Sequence, residues 1–185
     1  MNPLTSIKNV RRMLLFILPA LLLLVAAFGV SRYRQVHLYD DLIAKISSEY
    51  AVDPKLVKAV IWRESGFKKN RRGKHGEIGL MQVTSGAAGE WAAARGISEF
   101  KTRELFDPET NIQAGAWYLK RSISYWSGKQ NPLPYALAEY NAGRSNAVRW
   151  AADDGNDANK FWNNITYPLT KRYVHDVLSR YRRYH

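Results

Sequence analysis

The chain has 185 residues, no cysteine and a formal charge of +12. That length fits one domain with appendages, and the missing cysteines exclude disulfides, thiol catalysis and a lipid-modified amino-terminal cysteine. Residues 1–30 hold three of the basic and none of the acidic side chains, so an excess of nine positive charges remains downstream. Such a balance suits a polyanionic partner: cell-wall polymer, anionic lipid or nucleic acid.

Met13 to Val30 is an apolar run without charge, interrupted by Pro19 and Gly29, with Lys8, Arg11 and Arg12 before it and Arg32 and Arg34 after. At about 1.5 Å of rise per residue it just spans a bilayer core, and the basic flank keeps the amino terminus in the cytoplasm and sends the remainder outside. A cleaved signal peptide is the alternative, with small residues at Val25-Ala26-Ala27 and Ala27-Phe28-Gly29. The run is long for a signal core, so residues 1–35 are read as an uncleaved anchor with Ser31 to Gln35 as a polar connector. Either reading exports residues 36–185, the main domain.

His37 to Tyr50 carries Leu38, Leu42, Ile43 and Ile46 at helical spacing and predicts a helix. Asp53 to Glu64 predicts a second, with Asp53 as N-cap and Pro54 at the first helical position, where its missing N–H costs nothing. Lys68 to Glu77 is a charged loop with Gly73 and Gly76, and Leu80 to Val83 reads as a short extended piece. Gly86 to Arg95 predicts a helix stopped by Gly96. Pro108 to Trp126 is the longest, with Ile112, Ala116, Leu119 and Ile123 on one side. A helix opening at Pro132 and Pro134 reaches Gly143, and Ser145 caps another through Trp150. Asp153 to Asn159 is a polar loop, and Pro168 to Tyr184 closes the chain. The domain is mainly α, with minimal β structure. Basic residues gather at Lys68, Lys69, Arg71, Arg72 and Lys74 and again at Lys171, Arg172, Arg180, Arg182 and Arg183.

One carboxylate stands out. Leu56, Val57, Val60 and Ile61 form the apolar stripe of the Asp53–Glu64 helix, and Glu64 continues that stripe on the last turn before Gly66. A carboxyl leaving water loses solvation of its charged form, so its pKa rises and it keeps a proton near neutrality, as a general acid must. The alternative from periodicity alone is a helix-end glutamate paired with Arg63 or left at the solvent rim.

The neighbouring residues favour the first reading. Glu64-Ser65-Gly66-Phe67, Gly79-Leu80-Met81-Gln82, Leu105-Phe106-Asp107-Pro108 with Asn111-Ile112, Gly115 to Leu119, Ala136 to Gly143 and Tyr173-Val174 stand in order across residues 45–180. Together they resemble the lytic transglycosylase domain of the soluble lytic transglycosylase type, within the lysozyme superfamily. The resemblance implies an α+β lysozyme-like fold and non-hydrolytic cleavage of the MurNAc–GlcNAc bond of peptidoglycan, with Glu64 as general acid and then base and no cofactor. It also implies that Tyr173 hydrogen-bonds Glu64, that Met81 and Gln82 line the sugar-binding floor, with the Gln82 amide binding an acetamido or hydroxyl group, and that Tyr140 and Asn141 face the same groove. Core packing is the alternative for Met81 and Tyr140, and a helix C-cap for Asn141.

Three positions depart from the family pattern. Gly73 stands where many relatives have serine, Glu77 where many have alanine, and Glu139 where a small residue is usual. Glu77 reads as the partner of a loop arginine or as a second carboxylate that activates water, which makes a goose-type lysozyme-like hydrolase the enzymatic alternative. A non-catalytic wall-binding module is the alternative of another class. No nucleic-acid motif accompanies the charge, and His37, His75, His175 and His185 lack metal-ligand spacing. The expected partners are peptidoglycan strands and, through the amino-terminal helix, the inner membrane, with the domain on the periplasmic side.

Overall fold

The computed structural model describes the backbone of residues 3–184 and the side chains of residues 17–184. The side chains of Lys8, Arg11 and Arg12 and the terminal His185 lie outside the described residues. The chain divides into two units, one ending at Leu38 and one beginning at Tyr39. The first is a helix, α1 (Pro3–His37), and it runs straight through the stretch read as a connector. Nothing from Val30 to His37 breaks a helix, and Arg32 Nη1 donates to Gln35 Oε1 one turn on at 2.7 Å. Leu21, Leu22, Leu23 and Leu24 are exposed along it. Among the described residues it is the helix long and apolar enough to cross a membrane by length and composition.

The second unit is built from α2 (Asp40–Glu49), α3 (Pro54–Glu64), α4 (Ser85–Ala94), α5 (Pro108–Tyr125), α6 (Pro132–Ala142), α7 (Arg144–Ala151), α8 (Ala158–Asn164) and α9 (Pro168–Arg183). α6 is the axis, packed by α5, α7, α8 and α9, while α3 lies between α2 and α9. Leu56, Val57, Val60 and Ile61 are buried, as their spacing predicts. Asp53 caps α3 by accepting from the Lys55 N–H at 2.8 Å, and its second oxygen accepts the Tyr181 hydroxyl of α9 at 2.7 Å. One side chain thus starts α3 and ties it to the closing helix. Asp107 caps α5 through the Thr110 N–H, and Thr84 caps α4 through the Ala87 N–H; such caps each contribute about 1 kcal/mol.

The structure corrects several expectations. α2 begins at Asp40, not His37, and Leu38 is exposed while Ser47 is buried. Leu80 to Val83 is not extended: residues 79–82 form a turn, leaving antiparallel bridges Arg72–Ile78 and Ile78–Val83 as the β structure among the described residues. α7 is preceded by Gly143 at φ 84°, not capped by Ser145. Two elements went unread, a 3₁₀ turn at Thr102–Phe106 and α8, both too short for a hydrophobic period to register. The aromatic residues sort into two groups. Trp126, Tyr135 and Phe161 are buried, with Tyr135 stacked on Phe161 at 3.9 Å, whereas Trp117 and Tyr118 are only half-buried, so neither is a core residue.

Candidate active site

Glu64 occupies the last residue of α3, and the chain leaves the helix through Ser65 and Gly66, whose φ of 60° suits glycine. Its side chain is partly exposed because it opens on a cavity of about 550 Å³ lined also by Arg71, Gly73, Glu77, Gln82, Tyr140 and Asn141. The surrounding protein strips water from the carboxyl, and that loss dominates: its pKa is pushed up to about 7, against opposing contributions from Tyr173, Arg63 and Arg71 and a reinforcing one from the Glu77 charge.

Tyr173 stands behind Glu64 on α9. Its side chain is buried, and burial together with the Glu64 charge raises its phenol well above the usual range. The hydroxyl is close enough to favour the ionised carboxyl, yet no hydrogen bond of regular geometry closes on it. Long or poorly aligned hydrogen bonds are common between the polar groups of ligand-free sites. The Arg63 guanidinium lies 5.5 Å from the centre of the Tyr173 ring and donates to Asp176 at 3.1 Å, which fixes α3 against α9 at the level of Glu64.

The Gly79–Gln82 turn brings Gln82 into the cavity wall. Asn111, buried near the start of α5, accepts from the Met81 N–H at 2.8 Å and donates to the Ile78 and Leu105 carbonyls at 2.8 and 2.9 Å. All its hydrogen-bonding capacity on that face is spent holding the turn. Met81 is fully buried and does not line the cavity: its side chain packs against Gly115, where a Cβ would come within 2.5 Å of the sulfur. What Met81 presents is its carbonyl, which accepts the Tyr140 hydroxyl at 3.0 Å. Gln82 adopts φ 49°, a left-handed conformation strained for a residue with a Cβ, and its Nε2 donates to the Gly79 and Arg71 carbonyls at 2.9 and 3.2 Å. Both amide protons are therefore used internally, and only Oε1 is left to accept from a ligand.

Tyr140 and Asn141 come from the last turn of α6. Asn141 is exposed, accepts from Thr170 Oγ1 at 2.8 Å and is no C-cap. Tyr140 is half-buried and meets Tyr118 edge-on at 5.7 Å. Both residues, with Gln82 and Thr84, also line a second cavity of about 270 Å³ reaching Tyr118 and Ala87, so the two cavities form one groove with a polar, Glu64-bearing end and a more aromatic end. Glu77 does not pair with a loop arginine: among the described residues its contact is with its own loop, Oε2 accepting the His75 N–H at 2.9 Å. Sequence reading missed Asn111, Thr170 and Asp176 as supports of the site. A buried asparagine among Ile112, Ala114 and Ala116 was the available signal, since such a group must find partners. We expect Asn111→Ala to strand the Met81 N–H and two carbonyls, lowering stability by about 2–3 kcal/mol in urea unfolding.

A helical domain with a desolvated glutamate at the end of one helix, facing a groove between a tight turn and the end of a second helix, defines the lysozyme-like class. Residues 41–163 match the family model described as the transglycosylase SLT domain, and the chain belongs to that family. It is 32% identical over 144 residues to membrane-bound lytic murein transglycosylase C of Pectobacterium atrosepticum, covering 72% of this chain and 39% of that protein. A relative of the same name from Yersinia pestis is 34% identical over 131 residues, covering 68% and 37%. Among solved structures, an inactive mutant of lytic transglycosylase Slt from Pseudomonas aeruginosa superposes with a TM-score of 0.73 at 28% identity, covering 80% of this chain and 24% of that one. The 70 kDa soluble lytic transglycosylase of Escherichia coli gives 0.71 at 29%, covering 79% and 24%. The chain thus spans well under half the length of the curated relatives it matches.

Proposed function

We propose that this chain is a peptidoglycan lytic transglycosylase, with Glu64 as the group that moves the proton. The observation that carries the reading is a carboxyl whose pKa is raised to about 7 and which opens on a cavity of about 550 Å³ lined by Gln82, Tyr140 and Asn141. At neutral pH a large fraction of Glu64 holds its proton, and that proton goes to the glycosidic oxygen as the bond from muramic C1 to N-acetylglucosamine breaks. The substrate's own acetamido oxygen supports C1. Glu64, now ionised, takes the proton from the C6 hydroxyl as O6 bonds to C1, which gives a 1,6-anhydromuramoyl end without water. Tyr173 stabilises the ionised stage. Tyr140, Asn141 and Gln82 Oε1 hold the sugar against the turn, while Met81 shapes the turn from beneath.

Supporting this are the relatives' names, lytic transglycosylases in each case, and the Pseudomonas aeruginosa protein whose inactive form has glutamine for a glutamate. α1 and the membrane-bound relatives support a tether in the inner membrane, with residues 36–185 as a periplasmic catalytic domain. One observation favours a hydrolase instead: Glu77 lines the same cavity, and its charge acts on Glu64. Mass spectrometry of fragments released from purified sacculi separates the readings. Anhydromuramoyl ends are expected. Reducing ends alone would assign water activation to Glu77, and wall binding with no soluble fragments would leave a non-catalytic module.

A further inference from the structure

We propose that the loop 71–77 is a carboxylate-recognising lip of the Glu64 cavity, and that its ligand is the anionic substituent on C3 of the muramic residue. The inference deepens the functional reading above and rests on it. Arg71, Arg72 and Lys74 line the cavity beside Glu64. Among the described residues none of the three forms an ion pair, although the same domain pairs Arg63 with Asp176, Arg144 with Glu139, Lys129 with Asp154 and Lys58 with Asp40. Three cations without an ion pair thus stand in the wall of the cavity that holds Glu64, against Glu77 as the one carboxylate of their own loop.

The lip is ordered by its own contacts. The Arg71 carbonyl accepts from the Gly79 N–H at 2.9 Å and from Gln82 Nε2 at 3.2 Å. The Arg72 backbone bridges to Ile78, and its guanidinium lies 4.5 Å from the centre of the Phe106 ring. Beneath the turn, the Gly73 N–H donates to the Glu77 carbonyl at 2.8 Å while the Glu77 carboxylate accepts from His75. A Cβ on residue 73 would stand 2.0 Å from Glu77 Oε2, so a side chain there would drive Glu77 out from under the loop. Gly73 and Glu77 are therefore a single structural device: the missing side chain makes room for the carboxylate that shapes the turn.

A glycan backbone is uncharged and gives concentrated cations nothing to bind. Near the scissile bond, negative charge sits on the muramic C3 substituent, as stem-peptide carboxylates or, once the stem is removed, as the lactyl carboxylate. Arginine recognises such groups through paired N–H donors, and lysine as a point charge.

The test uses the full chain and three strand preparations: stems with free carboxylates, stems with carboxylates amidated, and strands stripped to the lactyl group. Free-acid stems are expected to be cleaved about tenfold better in kcat/KM than amidated ones, with the ratio shrinking as salt is raised. In an Arg72→Gln/Lys74→Gln double variant, which leaves Arg71 beside Glu64, the ratio falls to about one. Gly73→Ala, which changes no charge, reduces it as well. Stripped strands that behave like amidated stems place the ligand in the peptide; stripped strands cleaved about tenfold better while free-acid and amidated stems behave alike place it at the lactyl carboxylate, which is free only once the stem is gone; stripped strands that match favoured free-acid stems show a lip that takes either carboxylate. Retention of the three preparations by the Glu64→Gln variant reads the lip without turnover, so failure of the enzymatic reading and failure of the lip are separable. Equal cleavage and equal retention of all three preparations by the unaltered lip would overturn the proposal.

Discussion

Glu64→Gln is expected to lower turnover of peptidoglycan by about three orders of magnitude, the scale on which positioned general acids act, while raising stability above neutral pH. Glutamine keeps the shape of the side chain and one carbonyl oxygen but has no acidic proton to give. The stability effect follows from linkage. The native pKa of about 7 lies above the ordinary value of 4.5, so the folded protein binds the proton more tightly than the unfolded chain. The contribution of Glu64 is fully present below pH 4.5 and is lost as pH rises through about 7, leaving an ionised carboxyl held in a poorly solvated place. A neutral amide has no such loss. At pH 8 the variant should be more stable by about 2–3 kcal/mol, and at pH 4 nearly equal to the parent. The kcat/KM profile of the parent should fall on the alkaline side with an apparent pKa near 7, and urea unfolding of both proteins at the two pH values supplies the other half. A variant that keeps its turnover, or is no more stable at pH 8 than the parent, removes Glu64 from the role given to it.

The same physics makes this residue legible in the sequence. A glutamate continuing the stripe of Val57, Val60 and Ile61 breaks the binary pattern, and local rules break where function demands it. Caps and prolines placed the helix starts for the same reason: Asp53-Pro54, Asp107-Pro108 and Pro168 act on their own neighbours, so their signal is local. The turn that carries Gln82 was not legible in that way. Asn111 holds a turn 30 residues away, and the left-handed Gln82 is stable only because that turn is held from below. The use of both Gln82 amide protons inside the protein likewise depends on where the Arg71 and Gly79 carbonyls fall. Met81 was assigned to the sugar-binding surface because its neighbours matched a motif, but the vacancy that takes its side chain belongs to Gly115 on another helix. Glycine in a helix interior costs stability relative to alanine, and here that cost is offset by letting Met81 into the core. Contacts that cross between elements leave a trace in sequence only when both partners are read together, as the Met81–Gly115 pair illustrates.

Glu139→Ala is expected to destabilise the domain by about 3 kcal/mol. The Glu139 carboxylate is fully buried in α6, the helix packed by α5, α7, α8 and α9. Its Oε1 accepts from Ser122 Oγ at 2.9 Å and from Arg144 Nη2 at 2.7 Å, and its Oε2 accepts from Trp126 Nε1 at 2.8 Å. A residue written into the sequence as a departure from a small side chain thus fastens α5 and α7 to the middle of the bundle. Removing one partner of a buried ion pair costs about 3–5 kcal/mol, because the groups left behind have lost water and gain nothing in return. Arg144 is about one-third exposed, so it recovers some hydration and the loss falls at the lower end of that range. Its guanidinium also lies 4.2 Å from the centre of the Tyr125 ring, a contact the truncation leaves in place. Glu139→Gln, which keeps an acceptor for Trp126 or Ser122 but not the charge for Arg144, should cost about half as much. Replacing both partners, Glu139→Leu with Arg144→Leu, should recover stability relative to Glu139→Ala, since an apolar pair leaves no stranded cation. The same series reads the groove: Tyr140 and Asn141 follow Glu139 directly on α6, so the truncated variant should show a raised KM before kcat falls. Urea unfolding and steady-state kinetics on the three variants decide it. A Glu139→Ala loss below about 1 kcal/mol, inside the range of an ordinary hydrogen bond, would mean that apolar packing alone fixes α6, and that Tyr140 and Asn141 owe their positions to the contacts with Met81 and Thr170.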